Sequence, residues 1–338
     1  MVLPGSHPLA QVLHRYCPRG EEWHGERLRS SRLVVRFTRG EGGGGVVGKF
    51  FLKNDLAAVE PPLEVSGAEA RCSKDLALLQ EAHNYRLAAR LGLNSETGMV
   101  PGFLGSCPGV GLGVLLAAVA GPDLDACLAQ AVGQGEERAL FPRLSQLARL
   151  LAFFHGRPVP PRQVSPQAAW GYAARLRGQL AAQGLLLPEE ERILGEEMQA
   201  WEAAWLAFPD REVLLHGDAT PTNFLFPDGR AVALDLERLR LGDRLFDLSW
   251  VAGELRHAWG WRGRGFDGGE EAVRYFFREY LRTLKADAAL TRRVHVLNPF
   301  TMALAELRIA RNSYLSWDYR RSLVREALAC LVHGRRSL

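Results

Sequence analysis

The spacing of apolar positions changes along the chain. Near the start, apolar residues come in short strand-like runs, Leu33 to Phe37 and Val46 to Leu52, separated by the glycine-rich segment from Gly40 to Gly45. Two such runs around a flexible turn predict a β-hairpin. Val100 to Phe103 and Leu112 to Val119 read as further strands, and the basic stretch through Arg29 fits neither period. Elsewhere the apolar residues recur at helical spacing. Helices are expected over Pro8 to Tyr16, Asp75 to Leu91 with Gly92 as its stop, Leu124 to Gln130, Leu144 to His155, Trp170 to Gln183 and Glu189 to Phe208. Three more follow, Glu270 to Leu284, Pro299 to Ser316 and Tyr319 to His333. Strands cluster early and helices late, which predicts an α+β chain of two parts.

The stretch from Val213 to Glu237 breaks this rhythm. Val213 to Leu215 is a short apolar run that enters a polar loop, and Phe224 to Phe226 resumes it before the turn signal Pro227-Asp228-Gly229-Arg230. Ala231 to Leu234 is apolar again and ends at Asp235 and Glu237. A hairpin here would bring Asp235 back beside the loop that carries His216, Asp218 and Asn223. The order His-x-Asp-x-x-x-x-Asn followed by an acidic residue matches the catalytic loop and metal-binding segment of kinases. Phosphoryl transfer needs a carboxylate to orient and deprotonate the acceptor hydroxyl and hard oxygen ligands to hold Mg²⁺ on the phosphates. Asp218 suits the first task, and Asn223 and Asp235 the second. His216 reads as a structural hydrogen-bonder that supports the loop.

The residues His216-Gly217-Asp218, Pro221, Asn223, Asp235-Leu236-Glu237, Gly242 and Phe246-Asp247-Leu248 resemble the aminoglycoside phosphotransferase and choline kinase family of small-molecule kinases. Protein kinases usually carry Arg after the His and Phe-Gly after the metal-binding Asp; Gly217 and Leu236-Glu237 stand in those places. The resemblance implies a two-lobed, protein-kinase-like fold, with a nucleotide-binding lobe over residues 1–118 and a catalytic and acceptor-binding lobe over 119–338. It implies ATP or GTP as phosphoryl donor, Mg²⁺ held by Asn223 and Asp235 with help from Glu237, and a small-molecule hydroxyl as acceptor. Lys49 would steady the α- and β-phosphates, with Glu81 as its ion-pair partner and Lys53 as the fallback. Backbone groups of a hinge from Ala117 to Gly121, chiefly Ala118 and Val119, would meet the adenine edge. Asp247 would brace the catalytic loop, Asp243 would only start a turn, and His155 would pack or cap.

Two glycine motifs point elsewhere and are set aside. Gly40 to Val47 fits a kinase phosphate-covering loop, but it stands too close to Lys49. Gly43 to Lys49 fits most of a P-loop, but Phe50 follows where Ser or Thr belongs and no strand-to-helix context surrounds it.

Composition changes this picture little. The chain is 47% hydrophobic and 24% charged with a formal net charge of +4, so nucleic acid is not an expected partner. Five scattered cysteines with no Cys-x-x-Cys pair suggest reduced thiols, and no targeting or membrane-spanning segment is evident, so the expected compartment is the cytoplasm. From Glu237 onward basic residues outnumber acidic ones, with Arg256, Arg262, Arg264, Arg308 and Arg311 as candidate pocket residues. That balance favours a neutral or anionic acceptor over a polycation. The rival function is a kinase-like protein that binds nucleotide or a partner without turnover.

Overall fold

A computed structural model describes residues 2–3, 7–16, 22–28, 33–38, 45–51 and 68–336, with residues 68–74 as backbone only. The chain forms two compact units, one from residues 1–121 and 232–239, the other from 122–231 and 240–338.

The first unit is built on an antiparallel sheet. Its elements in chain order are β1 (Val2–Leu3), α1 (Pro8–Leu13), β2 (Trp23–Leu28), β3 (Val34–Thr38), β4 (Val46–Phe50), α2 (Ala68–Arg90), β5 (Phe103–Cys107) and β6 (Leu112–Ala117). Among the described residues the strands are ordered β1-β2-β3-β4-β6-β5. Along β4 the side chains alternate, with Val46, Gly48 and Phe50 buried and Val47 and Lys49 half-buried. Leu9 and Leu13 of α1 pack with Trp23, Phe37, Phe50 and Leu115 in one apolar cluster. On α2, Leu78 comes so close to β6 that a Cβ on Gly113 would lie 2.3 Å from its Cδ2. Only glycine lets the helix sit this near the sheet.

Several boundaries differ from the sequence expectation. The unassigned basic stretch contains β2, whose ladder partner β3 supplies the order that its own composition does not signal. The strand expected over Val100 to Phe103 begins at Phe103 instead, and α2 begins at Ala68, before Asp75. The glycine-rich turn and Lys53 lie outside the described residues.

The second unit is mostly helical: α3 (Leu124–Gln134), α4 (Phe141–His155), α5 (Gln167–Ala182), α6 (Pro188–Ala207), α7 (Leu245–Trp261), α8 (Glu270–Leu284), α9 (Ala288–Ala310) and α10 (Trp317–Arg335). A short strand β7 (Val213–Leu215) pairs antiparallel with Arg240–Gly242 just before α7. On α4, Leu144, Leu147, Ala148, Leu151 and Phe154 are all buried, the stripe expected of a central helix. Asp123, Asp287 and Ser316 each accept a backbone N–H at the start of α3, α9 and α10, a cap worth about 1 kcal/mol apiece.

Two helices exceed what the sequence pattern signalled. α9 runs through Pro299, which had marked its expected start. Proline forfeits one helical hydrogen bond, but Val294, Leu297, Phe300 and Leu304 keep one buried face on both sides of it, and Gly334 of α10 packs against its ring. The whole of α7 went unread because it is buried nearly all round, from Leu245 to Trp259, so no polar face marks its period. Among the described residues no helix is long and apolar enough to cross a membrane.

Candidate active site

The expected site residues fall into two clusters, one in each unit. In the first, the alternation of β4 turns Lys49 away from Val46 and Phe50. Its Nζ lies 2.6 Å from Glu81 Oε1 of α2 and 2.9 Å from Asp235 Oδ1. Glu81 is fully buried, Lys49 is 13% exposed and Asp235 is 36% exposed as side chains. Burial by itself would lower the Lys49 pKa, but the charges and hydrogen bonds of Glu81 and Asp235 more than offset it, and the net shift is upward. The ammonium is therefore charged at any physiological pH.

Asp235 has a left-handed backbone (φ 57°) and starts a single 3₁₀ turn over Leu236–Arg238. A non-glycine residue there is uncommon, though Asp tolerates it better than most. What holds this turn is Asn84, one helical turn past Glu81 on α2, whose Nδ2 donates to Leu236 O at 2.7 Å and Glu237 O at 3.2 Å. Asn84 was missed in the sequence, where its only signal was its i+3 spacing from Glu81. Tyr85 is buried beside them, and burial with the charges of Glu81 and Asp235 pushes its phenol well above the ordinary pKa. Glu237 lies in the same turn, 3.6 Å from Arg238 Nε. At the end of β6, the Ala118 N–H is committed to Gly45 O at 2.9 Å, so a base paired at this residue would meet its carbonyl. Val119 follows, half-buried.

In the second unit, β7 delivers the chain to the loop His216–Asn223. The loop folds on its own backbone: Thr220 N donates to Asp218 O at 2.8 Å, and Asn223 Nδ2 donates to the same oxygen at 2.9 Å. This use of the Asn223 amide nitrogen leaves its Oδ1 as an acceptor. His216 is buried between Phe154 and Phe224, and its Nδ1 accepts the Asp218 N–H at 3.3 Å. The supporting role read from the sequence has this physical form.

Asp247, in the first turn of α7, accepts the His216 N–H at 2.7 Å and the Gly217 N–H at 2.9 Å. Behind it, His155 Nε2 lies 3.1 Å from Asp247 Oδ2, and His155 Nδ1 lies 2.7 Å from Tyr280 Oη. Burial lowers the His155 pKa despite Asp247 and pushes Tyr280 up to about 12. A protonated phenol and a neutral imidazole assign the donors: Tyr280 donates to Nδ1, and Nε2–H donates to Asp247. Burial opposes ionisation of Asp247, yet the donors around it keep its pKa below the usual carboxylate range. The chain of bonds continues from Tyr280 to Arg244 and on to Asp210, the last at 2.7 Å.

His155 is thus neither a simple cap nor a filler of space; it links α4 and α8 to the loop's brace. Asp243 also does more than start a turn. It is buried, accepts the Leu245 N–H at 3.0 Å and pairs with Arg293 of α9 through both of its oxygens. Arg244 lies inside the stretch Gly242 to Leu248 that resembles the family, but Asp210, Tyr280 and Arg293 carried no sequence signal, being distant charged or aromatic residues with nothing local to tie them together. Of the five arginines singled out, Arg256 is buried against Glu306 and Glu326, Arg308 pairs with Glu254 of α7, and Arg262, Arg264 and Arg311 bind Ala258 O, Glu137 and Gln179.

A carboxylate-clasped lysine and a braced acidic loop are the parts that phosphoryl transfer uses. Among the described residues no group of three or more His, Cys, Asp or Glu side chains forms a ready-made metal cage. Mg²⁺ does not ask for one, since it is typically held by one or two protein oxygens plus phosphates and water.

Residues 25–292 match the phosphotransferase enzyme family. No curated protein matches the chain in sequence. Among solved structures, aminoglycoside phosphotransferase APH(2'')-Ib, ADP-bound, is 14% identical with a TM-score of 0.56, over 96% of this chain and 97% of that one. Choline kinase LicA from Streptococcus pneumoniae is 13% identical with a TM-score of 0.54, over 98% and 100%. A choline/ethanolamine kinase family protein from Mesorhizobium loti is 15% identical with a TM-score of 0.56, over 99% and 97%. At these identities the likeness is one of fold, and the fold is the kinase-like one.

Proposed function

The chain belongs to the phosphotransferase enzyme family, and from that premise we propose that it moves the γ-phosphoryl group of ATP or GTP to a hydroxyl of a small molecule. The observation that carries this reading is Lys49, a mostly buried ammonium clasped by Glu81 and Asp235. Burying the Lys49 and Glu81 charges is costly unless they are paired, and a lysine kept charged by its neighbours suits a polyphosphate.

Each residue then has one task. Glu81 orients Lys49, and Lys49 steadies the nucleotide phosphates. Asn84 fixes the backbone that carries Asp235 and Glu237. Asn223 and Asp235 would hold Mg²⁺, with Glu237 in support, and the ion when bound supplies positive charge to the phosphates. Asp218 takes the proton of the acceptor hydroxyl, from a loop whose position Asp247 sets through two backbone bonds. The Ala118 carbonyl and the Val119 backbone face the base of the nucleotide.

The test is mass spectrometry of a small-molecule extract incubated with Mg²⁺ and ATP or GTP, using wild type and Asp218→Asn. A metabolite that gains one phosphate with wild type alone names the acceptor, and the variant should be slower by about 10²- to 10⁴-fold. Nucleotide bound but never consumed, across a range of extracts, would replace this reading with a non-catalytic binder.

A further inference from the structure

Within the first unit, the last turns of α2, the loop that follows it and the start of β5 enclose a pocket of about 390 Å³. None of the residues given above a task with nucleotide, metal or acceptor lines it. Small-molecule sites usually measure roughly 300–1,000 Å³ and are mostly apolar with a few placed polar groups. This pocket fits that description. Tyr85, Leu93 and Val100 form a buried apolar floor, with Phe103 half-buried beside them. The Tyr85 and Phe103 rings lie nearly parallel, 8° apart in plane and 5.9 Å between centroids.

Backbone bonds fix the walls. Gly92 ends α2 at φ 78°, and the N–H groups of Gly92 and Leu93 return to Ala89 O at 3.1 Å and Ala88 O at 2.8 Å. Asn94 Oδ1 accepts the Glu96 and Thr97 N–H groups at 3.1 and 3.0 Å, and Thr97 Oγ1 closes the loop on Asn94 O at 2.9 Å. Met99 O and Gly102 O, on either side of Val100 and Pro101, accept the N–H groups of Ala233 and Ala117. A pocket built this way needs little ordering when it is filled.

The charged residues that line it are both cations, Arg86 and Arg90, one helical turn apart. Arg86 is held in place: its guanidinium carbon lies 5.0 Å from the Phe103 centroid, and Nη1 and Nη2 donate to Ala82 O and Ser106 Oγ, each at 3.3 Å. Its other N–H groups, and the whole Arg90 guanidinium, meet no partner among the described residues. Asn94 and Ser95 complete the polar lining and are neutral. Glu96 and His83 are exposed outside the pocket, and Glu81 and Asp235 are bonded to Lys49, so no described carboxylate lines it.

An apolar floor beneath two guanidinium groups complements a molecule with one apolar and one anionic end. We infer that this pocket is a binding site for a small amphipathic anion, its flat apolar body seated on Tyr85 and Phe103 and its carboxylate or phosphate held by Arg86 and Arg90. The site is separate from the one proposed for phosphoryl transfer and stands whether or not that reading holds.

The experiment titrates the full chain by calorimetry with 2-naphthoate, 2-naphthyl phosphate, the uncharged 2-naphthamide, and acetate and inorganic phosphate, which lack the apolar body. At least one naphthyl anion should bind a single site about tenfold or more tighter than the amide and than its own head group alone; the stronger of the two names the head group. Arg90→Gln, at an exposed position, should melt like wild type and lose most of the advantage over the amide, and Arg86→Gln should lose it too. Ala89→Phe, also at an exposed helix position, should fill the pocket and weaken anion and amide alike. No saturable binding of either naphthyl anion, equal affinity for anion and amide, equal affinity for a naphthyl anion and its bare head group, or affinities unchanged in Arg90→Gln and Ala89→Phe would overturn the inference.

Discussion

Asp235 and Asp247 are two aspartates that do opposite things with their burial. Asp235, in the first unit, is 36% exposed as a side chain, sits in a left-handed backbone and bonds to a lysine side chain. Asp247, in the second, is 1% exposed and spends its oxygens on two backbone N–H groups and an imidazole. The first is kept accessible at a conformational cost, with a carboxylate that a metal cation could reach. The second is spent on the loop and on His155 behind it. An accessible aspartate is held in an uncommon backbone conformation, whereas the aspartate that positions the loop is buried and satisfied.

Substitutions can break that contrast. Asp235→Ala leaves the Lys49–Glu81 pair in place, so the fold should be nearly unaffected while turnover falls by about 10²- to 10³-fold, the loss typical of removing one preorganised charge-stabilising group. Equal melting temperatures with unchanged Mg²⁺-dependent nucleotide affinity and turnover would show that Asp235 has no metal role. Asp247→Ala should behave in the opposite way. It leaves two backbone donors unpaired, at about 1–3 kcal/mol each, so a denaturant midpoint should drop by the equivalent of about 3 kcal/mol, with activity lost alongside. A stable but inactive Asp247→Ala would mean that the brace is not what holds the loop.

The smallest effect sharpens the comparison through pH. His155 has a lowered folded pKa, so as pH falls below about 6.5 the unfolded chain takes up the proton first and stability declines. Asp247, with its pKa also lowered, adds a stabilising contribution that is lost only further into acid, as pH falls through the carboxylate range. Between pH 7 and 5 the His155 part acts without the Asp247 part. Thermal melts over that interval should show wild type losing up to about 2 kcal/mol more than His155→Gln. Identical pH dependence in both would show that the imidazole is not held neutral.

Much of the candidate site was legible in the chain because its signals are local. The order His216, Asp218, Asn223 and the turn at Pro227–Gly229 lie within a few residues of one another, and the structure has Asp228 and Gly229 at positive φ where that turn was expected. The helix over Glu270–Leu284 also reads directly, since its apolar and charged faces separate cleanly. Glu81 could be named from its place on a helix, but its contact with Lys49 spans 32 residues of sequence. The brace was harder. Asp247 came from resemblance, while Tyr280, Arg244 and Asp210 carry no periodicity that marks them. Glu254 and Arg308 lie 54 residues apart on two helices, and one of those helices has no polar face to reveal its period.

By itself, then, the sequence determined the elements with a clear period or turn, the order of the reactive groups and the family to which they belong. Tertiary structure decided which charges are shared: that Lys49 is held by two carboxylates, that Asp247 is tied to His155 and not to a cation, and that Arg308 answers Glu254. The physical reason is one of range. Hydrogen-bonded turns and helical faces are settled among near neighbours, whereas the pairing of a buried charge depends on whichever distant side chain the packing of the core brings within a few ångströms.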